Sequence, residues 1–496
     1  MFIVNRGGEF MNKVLKYFNQ KKYIKMVENS SYFDKAYYLA KNLDIKNSGV
    51  NPAKHYYMYG WREGRNPSAD FDNDRYFKYN KLEKNINPIV HYTLNKDSLN
   101  LTVPAVNSAL SVEDILDDYF FENKPLKVLS VSNLKKHRLN IIFNGFDSGC
   151  FFGGKATALI LAIQFASKYH YNLRVISQNP DAAVFYEFLD LFHLKFEEEV
   201  SFFSINSGQL IEIDEKDDFI CTMWSNADII LNTQYIKGKI FYVMQEVETF
   251  FYDHGDNHLR CFSCLTDDRI IPIVNSKLLY DYLCSHGYNN VVNNGIYFEP
   301  VFSGNLLKPS KDSFHKKDKY SLFFYARPSH QRNLFYFCLD VLNEAFNYGV
   351  LDKDEWVVYT AGDGNMPNFH FDVDVDIERL GVMSWNEYCD FMSTIDLCFS
   401  VIYTPHPSYP PLDAVTAGAV AVTNKFENKQ DLSNYSKNIV MGDLNKKDML
   451  RALECGSKLA KNVKVREANY KTSNTAGEWQ MAFKDVLKFM NDKIGD

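Results

Sequence analysis

From residue 139 onwards, short apolar runs alternate with longer stretches in which apolar residues recur at helical spacing. The runs Leu139–Phe143, Leu173–Ser177, Lys239–Met244 and Ile270–Val274 have the length of strands. Near-continuous apolar runs between amphipathic helices predict parallel strands in βαβ units, covered on both faces. A polar segment from Lys308 to Lys319 interrupts the series, which restarts with Ser321–Tyr325, Trp356–Thr360, Asp396–Ile402 and Ala419–Thr423. The pattern predicts two Rossmann-like α/β lobes, 139–307 and 320–462, joined near 305–320. The remaining 463–496, with the amphipathic stretch Glu478–Met490, is expected to be helical and to cross back over the first lobe.

The chain before residue 139 has a different texture. Phe33-Asp34 with Tyr38-Leu39 recurs as Phe71-Asp72 with Tyr76-Phe77, and Asn51-Pro52 with His55-Tyr56 recurs as Asn87-Pro88 with His91-Tyr92. The spacing is that of a helix pair, so 30–98 is expected to be a small helical module of two repeats. Between the copies, Gly60-Trp61-Arg62-Glu63-Gly64-Arg65-Asn66-Pro67 breaks the helical pattern. Its His, Tyr and Trp residues either form the core of each repeat or line a sugar site, and the core is the commoner use. Residues 1–29 form an N-terminal segment, and 99–138 a linker with one short helix from Val112 to Phe121.

At 496 residues the chain is too long for one core. Aromatic residues make up 15%, with 39 Phe and 32 Tyr, which suits buried cores and also surfaces that stack on sugars. A net charge of −7 argues against nucleic-acid binding, which needs a basic footprint. The first residues lack the apolar core of a signal peptide, and no window approaches the ~20 apolar residues of a membrane span. Nine scattered cysteines fit a reducing cytoplasm. Cys261 and Cys264 form a CxxC, but a zinc site would want a second pair, so no metal is expected.

Candidate chemistry falls where strands end. The run Leu139–Phe143 leads through a loop ending in Gly153-Gly154-Lys155 to a predicted helix, Ala156–Lys168. Glycines let backbone NH groups approach a ligand, and a helix N-terminus favours an anion. The loop is neither G-x-G-x-x-G nor a Walker loop, which removes support for hydride transfer and ATP hydrolysis. In the second half, Ser321–Tyr325 ends in Ala326-Arg327-Pro328-Ser329-His330-Gln331-Arg332-Asn333, whose two guanidiniums can clamp a diphosphate. Trp356–Thr360 runs into Gly362-Asp363-Gly364, a loop able to lie close to a nucleotide. The segment Tyr403 to Val415 contains Ser408 as a natural N-cap and Pro410-Pro411 for the first turn of a helix ending near Gly418. Tyr409 stands at the same helix start. Asp413 can accept hydrogen bonds from ribose hydroxyls or simply complement the helix dipole. Asp372-x-Asp374-x-Asp376 is expected to be a solvated acidic loop rather than a metal site.

Together, the Ala326–Asn333 segment, PHPSYPPLD at 405–413 and Thr423-Asn424-Lys425-Phe426 resemble the bacterial retaining GT-B glycosyltransferases of glycosyltransferase family 4. The likeness is greatest to the rhamnosyltransferases of S-layer glycan and O-antigen assembly, and it covers most of 139–462. Gln245-Glu246-Val247-Glu248-Thr249-Phe250-Phe251-Tyr252 is similar to that group's Q-[DE]-x-E-x-x-F-Y stretch. The N-terminal repeat resembles modules attached to bacterial polysaccharide glycosyltransferases. The resemblance implies a GT-B fold, two Rossmann-like lobes facing a cleft behind the helical module. It implies that Arg327 and Arg332 hold the donor diphosphate and that Gly154 lies in the glycine loop beside the phosphates; Gly153, Gly362, Ser408 and Tyr409, from the loops and helix start they occupy, are expected to line the donor site with them. Asp413 matches the second acid of the E-x7-E signature, as Asp instead of Glu, and the first Glu position is Pro405.

The implied function is transfer of a hexose, rhamnose from dTDP-rhamnose first and galactose from UDP-galactose next, to a surface polysaccharide or lipid-linked glycan. Retention is expected, with the leaving phosphate taking the acceptor's proton and no metal or other cofactor. Glu246 and Glu248 are the catalytic candidates, orienting the acceptor or stabilising the cationic sugar. Their spacing puts both on one side if the preceding strand continues through them. The expected partners are the nucleotide-diphosphate sugar, a glycan acceptor and, through the N-terminal module, other glycan-assembly enzymes. The expected location is the cytoplasm, at the inner face of the membrane. Two rivals stay open: a GT-B epimerase or hydrolase of nucleotide sugars, and a non-catalytic glycan-binding subunit.

Overall fold

The computed structural model describes residues 20–495, apart from 81, 83–84, 107–108, 110–111, 120–122, 133, 148–151, 303–306, 363–365 and 476. The chain divides into two compact units, 1–121 and 122–496.

The first unit is built on the repeat. Asp34 caps the helix Lys35–Lys41, and Asp72 caps Asn73–Tyr79. Asn51 caps Pro52–His55 and Asn87 caps Pro88–Asn95, each with proline in the first turn. The conserved pairs of the two copies meet in space: Tyr38 Oη lies 2.9 Å from His55 Nδ1, and Tyr76 Oη lies 2.8 Å from His91 Nδ1. Tyr38, Tyr56, Phe71 and Tyr76 are fully buried, and Trp61 is buried against Phe77. The repeat's aromatic and imidazole groups are therefore its core. Further along, the helix expected to end at Phe121 is Val112–Tyr119, residues 120 and 121 lying outside the described set.

The second unit opens with β1 (Val128–Ser130) and continues with β2 (Arg138–Ile142), β3 (Asn172–Ser177) and β4 (Val200–Ser204). Then come β5 (Ile211–Ile213), β6 (Asp217–Cys221), β7 (Ile240–Met244), β8 (Ile270–Asn275) and β9 (Ile296–Phe298). Seven of these form one parallel sheet in the order β4-β3-β2-β6-β7-β8-β9. The remaining two, β1 and β5, pair as a small parallel ribbon that the apolar pattern does not announce. Beyond the polar segment lie β10 (Tyr320–Tyr325), β11 (Trp356–Ala361), β12 (Ile377–Gly381), β13 (Leu397–Phe399), β14 (Val420–Asn424) and β15 (Ile439–Gly442). They form a second parallel sheet, β12-β11-β10-β13-β14-β15.

Both sheets are doubly wound. The order reverses beside β2 in the first and beside β10 in the second, and ligands bind outside the carboxyl ends of strands at such switch points. The loops leaving β2 and β10 are the glycine loop and the arginine loop.

The helix Gly153–Tyr169 covers the first sheet with a continuous buried stretch from Ala156 to Ile163. Phe483, Val486, Leu487 and Met490 of the closing helices sit in the same core, Phe483 ringed against Phe298 at 4.9 Å. Strand β13 is shorter than the apolar run around it. Its leading residue Asp396 is a buried carboxylate held by Arg466 and Lys317, each at 2.9 Å. Beyond Ser400 the chain leaves the sheet, Ile402 N donating to Asn424 Oδ1.

The acidic triplet lies on the surface: Asp372 accepts from Asn343 and Asn347, and Asp376 pairs with Lys319. Cys261 and Cys264 are buried on one helix, Asp256–Leu265. Among the described residues no helix is long and apolar enough to cross a membrane, and no group of His, Cys, Asp and Glu could hold a metal ion.

Candidate functional site

A cavity of about 670 Å³ lies between the two lobes and is lined from both. Two helices point their N-termini at it. The first begins at Gly153, after Phe152, whose side chain supplies no cap. Gly153 has φ 50°, and a Cβ on Gly154 would stand 2.9 Å from Gln245 Nε2, which donates to Gly154 O at 2.6 Å. A side chain there would push the Gln245 amide aside and break that bond. The second helix is Tyr409–Thr416, with Pro410 and Pro411 in its first turn. Ser408 stands at its N-cap position but does not cap it: its φ is 73° and its hydroxyl makes no cap bond. The capping expected from its residue type is thus replaced by strain, which such sites tolerate when the surroundings fix the backbone. The first terminus leaves amide N–H groups free for an anion, whereas the second, with no N–H on Pro410 and Pro411, adds mainly its dipole.

The arginines add full charges. Strand β10 ends at Tyr325, so Arg327 leaves from the sheet's carboxyl edge. Its Nη2 contacts His330 Nε2 at 2.8 Å, while its buried Nε has no hydrogen-bond partner. The guanidinium of Arg332 lies 4.3 Å over the Phe251 ring, with Nη1 3.4 Å from Glu246 Oε2. Its buried Nε and Nη1 likewise have no hydrogen-bond partner. Gly362, φ 131°, lets its loop lie against this pair: a Cβ there would come 2.9 Å from Ala326 O and Arg327 Cγ. Asp363 and Gly364 of that loop, like Gly149 of the first, lie outside the described residues.

The two glutamates separate. Strand β7 ends at Met244 and Glu248 opens a 3-10 turn, Glu248–Phe251, so the two carboxylates do not share one side of a strand. Glu246 reaches across the cleft to accept from Thr404 Oγ1 and to pair with Arg332. Glu248 is buried and accepts from Tyr242 Oη and, at 3.0 Å, from Trp224 N, the first amide of the helix Trp224–Asn232. Burial pushes its carboxyl up to about 7, against the pull of those two donors.

Asp413 is 5% exposed, in the second turn of its helix, and accepts from Tyr388 Oη at 2.9 Å. Burial raises it to about 7, and the Tyr388 bond opposes the rise. Tyr409 crosses into the first lobe. Asn275 Nδ2 donates to its hydroxyl at 2.5 Å, that hydroxyl donates to Gln245 Oε1 at 3.3 Å, and Thr157 Oγ1 lies 3.1 Å away. It joins the lobes instead of presenting an open hydroxyl.

Two residues not anticipated from the sequence stand here. His406, between Pro405 and Pro407, is 3% exposed, and Lys429 is wholly buried with Nζ 3.3 Å from His406 O. Burial drives Lys429 down to about 7 despite nearby Glu246. A histidine locked between prolines just before a helix was the only sequence signal for this pair.

Residues 320–454 match the family model described as the C-terminal domain of WsaF. Over 236 residues the chain is 27% identical to the O-antigen biosynthesis protein RfbC of Myxococcus xanthus, covering 45% of this chain and 17% of that protein's length. Among solved structures it is similar to a glycosyltransferase from Rickettsia africae ESF-5, with 11% identity, TM-score 0.47, and 72% and 99% of the two chains covered. It is also similar to Anabaena Alr3699/HepE in complex with UDP and glucose, with 12% identity, TM-score 0.48, and again 72% and 99% covered. The two parallel sheets, with both switch points opening on one cleft, have the GT-B glycosyltransferase fold. Within it, the stretch that matches the WsaF C-terminal domain model runs from β10 into the helix Lys446–Lys461 after β15.

Proposed function

We propose that the chain is a nucleotide-sugar-dependent glycosyltransferase of bacterial surface-polysaccharide assembly. The observation that carries this is the anion site: Arg327 and Arg332, with unpartnered guanidinium N–H groups, in one cavity with the uncapped N-terminus of the helix that starts at Gly153. The donor's diphosphate binds there, and the charge that grows on it as the sugar leaves is stabilised by groups already in position. Gly153, Gly154 and Gly362 let backbone lie close to the nucleotide, and Asp413 holds the ribose. Closure over the cavity excludes water, which limits hydrolysis of the donor. Glu246, paired with Arg332 at the lobe junction, orients the acceptor or steadies the cationic sugar. Glu248 acts through position, holding the helix that starts at Trp224.

The sugar we favour is rhamnose from dTDP-rhamnose, with galactose from UDP-galactose second. Supporting this is the match of residues 320–454 to the WsaF domain, together with the partial likeness to an O-antigen protein. The acceptor is a growing glycan, lipid-linked at the cytoplasmic face of the membrane, and transfer retains the donor's anomeric configuration. The helical repeats of the first unit dock other glycan-assembly enzymes.

The test is a thermal-shift titration with UDP, dTDP, GDP and CMP on the native chain and on Arg327→Ala. A ligand at 100 times its Kd adds about 2.7 kcal/mol of stability. One diphosphate should stabilise the native chain and not the variant, and NMR of the product linkage against the donor anomer then checks retention. A folded native chain that no nucleotide stabilises at millimolar concentration overturns the proposal.

A further inference from the structure

The loop between β13 and the helix Tyr409–Thr416 holds His406 in one orientation. Its Nδ1 accepts from Ser408 N at 2.9 Å, and its own backbone N donates to Thr404 Oγ1 at 3.1 Å. An imidazole whose Nδ1 accepts must, when neutral, carry its proton on Nε2. Burial, with Lys429 and Arg332 adding to it, pushes the ring down to about 3, so it is uncharged across the physiological range. His406 is among the residues that line the cavity between the lobes, and its Nε2 is buried without any hydrogen-bond partner. A buried N–H left unpaired costs about 1–3 kcal/mol, which a ligand acceptor at that position would recover.

The acceptor must be an oxygen that tolerates positive surroundings. Arg332 and Lys429 both act on this ring, and the helix N-terminus begins two residues on. Such a setting selects a phosphate oxygen over a sugar hydroxyl. We propose that His406 is a further substrate-contacting residue of the donor site, its Nε2–H donating to a non-bridging oxygen of the distal phosphate of a nucleoside diphosphate. This rests on the cleft being a nucleotide-sugar site. It adds a neutral donor, fixed in tautomer by Ser408, between the cationic groups. Such a donor stabilises the leaving phosphate without taking up a proton itself.

Two substitutions separate the two ring nitrogens. His406→Asn keeps an acceptor near Nδ1 for Ser408 N and removes the Nε2 donor; His406→Gln keeps a donor near Nε2 and gives up the Ser408 bond. Calorimetric titration of native and variant chains uses UDP, dTDP and GDP, each beside its monophosphate. The asparagine variant should lose about tenfold to a hundredfold in affinity for the diphosphate and little for the monophosphate. The glutamine variant should keep most of the diphosphate affinity. If asparagine binds as tightly as native, or if glutamine is the variant that fails, His406 only braces the loop and this inference falls while the donor site stands. If the native chain binds no nucleotide, both fall together. Should neither variant fold, [15N]histidine NMR of the native chain decides: the Nε2–H resonance of His406 must shift with UDP and not with UMP.

Discussion

Histidines stand in both units, half-buried in the first and buried in the second, and they are used in opposite ways. In the repeat module each half-buried ring is answered: His55 meets Tyr38, and His91 meets Tyr76, in the same geometry twice. Among the described residues of that unit, the buried side-chain atoms without a partner come down to Asn87 Nδ2. In the cleft of the second unit, His406, Arg327 and Arg332 all keep buried N–H groups unanswered. The second unit leaves buried groups unpaired elsewhere too, Trp356 Nε1 and Arg466 Nε among them, but the guanidinium and imidazole N–H groups of residues lining one cavity are where a ligand can complete the structure. The residue type alone does not tell a core histidine from a binding one; the open valence does.

The contrast breaks most visibly at the arginines. Arg327→Ala and Arg332→Ala should each lower kcat/KM for sugar transfer by about 10²–10³, the cost of one donor to a developing anion. Their melting temperatures should fall only modestly, because each side chain makes few contacts in the free protein, Arg327 with His330 and Arg332 with Glu246 and Phe251. Steady-state kinetics with the donor chosen by the nucleotide titration reads the first, and calorimetry the second. An arginine variant that melts much earlier yet turns over normally would move that residue to the core side of the comparison.

Asp413 sharpens it, because its carboxyl is buried with a single hydrogen-bond donor recorded. Its folded pKa, about 7, lies above the unfolded value of 3.8. Between those two pH values the native state holds a proton that the unfolded state has released, so this group's contribution to stability falls as pH rises from 4 to 7 and levels off above. Asp413→Asn removes that dependence while leaving an acceptor for Tyr388. The variant's stability relative to native should therefore increase with pH by about 1–4 kcal/mol between pH 4 and 8, at about 1.4 kcal/mol per pKa unit. A difference that is flat with pH would mean that the carboxyl is solvated.

Much of this was legible beforehand. The apolar runs gave both sheets, because buried parallel strands must be apolar on both faces, and the polar break at 308–319 separated them. Arg327 and Arg332 were legible from their place just after a strand, and the Pro410-Pro411 helix start from its chemistry. The rest depends on contacts distant in sequence. Glu246 and Glu248 part because the chain turns after Met244, where Glu248 is recruited to the start of a helix twenty-odd residues earlier. Lys429 sits in a polar stretch that reads as surface, and it is buried because the 403–408 loop folds over it. Strands β1 and β5 are too short for periodicity to show. Tyr409, expected in the donor site, has its hydroxyl spent on the opposite lobe.

In the repeat module the prediction runs the other way from the cleft. Tyr38→Phe removes the hydroxyl that meets the half-buried His55 ring. It should cost about 0.5–1.5 kcal/mol in unfolding of that unit, with Tyr76→Phe costing the same. Nucleotide affinity should not change. Unequal costs for the two would end the equivalence of the two dyads, and a change in nucleotide affinity would end the division between core and binding histidines.

The smallest effect is expected at Tyr409, whose hydroxyl belongs to neither category: it is fully answered, yet by groups of the other lobe. Tyr409→Phe keeps the ring and removes the bonds to Asn275 and Gln245, a loss of about 0.5–1.5 kcal/mol. If those bonds hold the lobes together in the nucleotide-free chain, the loss falls on closure and not on either core. Small-angle scattering should then show a slightly larger radius of gyration for the free variant, restored to the native value by the bound nucleotide. KM for the donor should rise a few-fold with kcat little changed, because a ligand must now supply the closure that Tyr409 supplied. An unchanged radius with a lower melting temperature would make Tyr409 an ordinary packing residue.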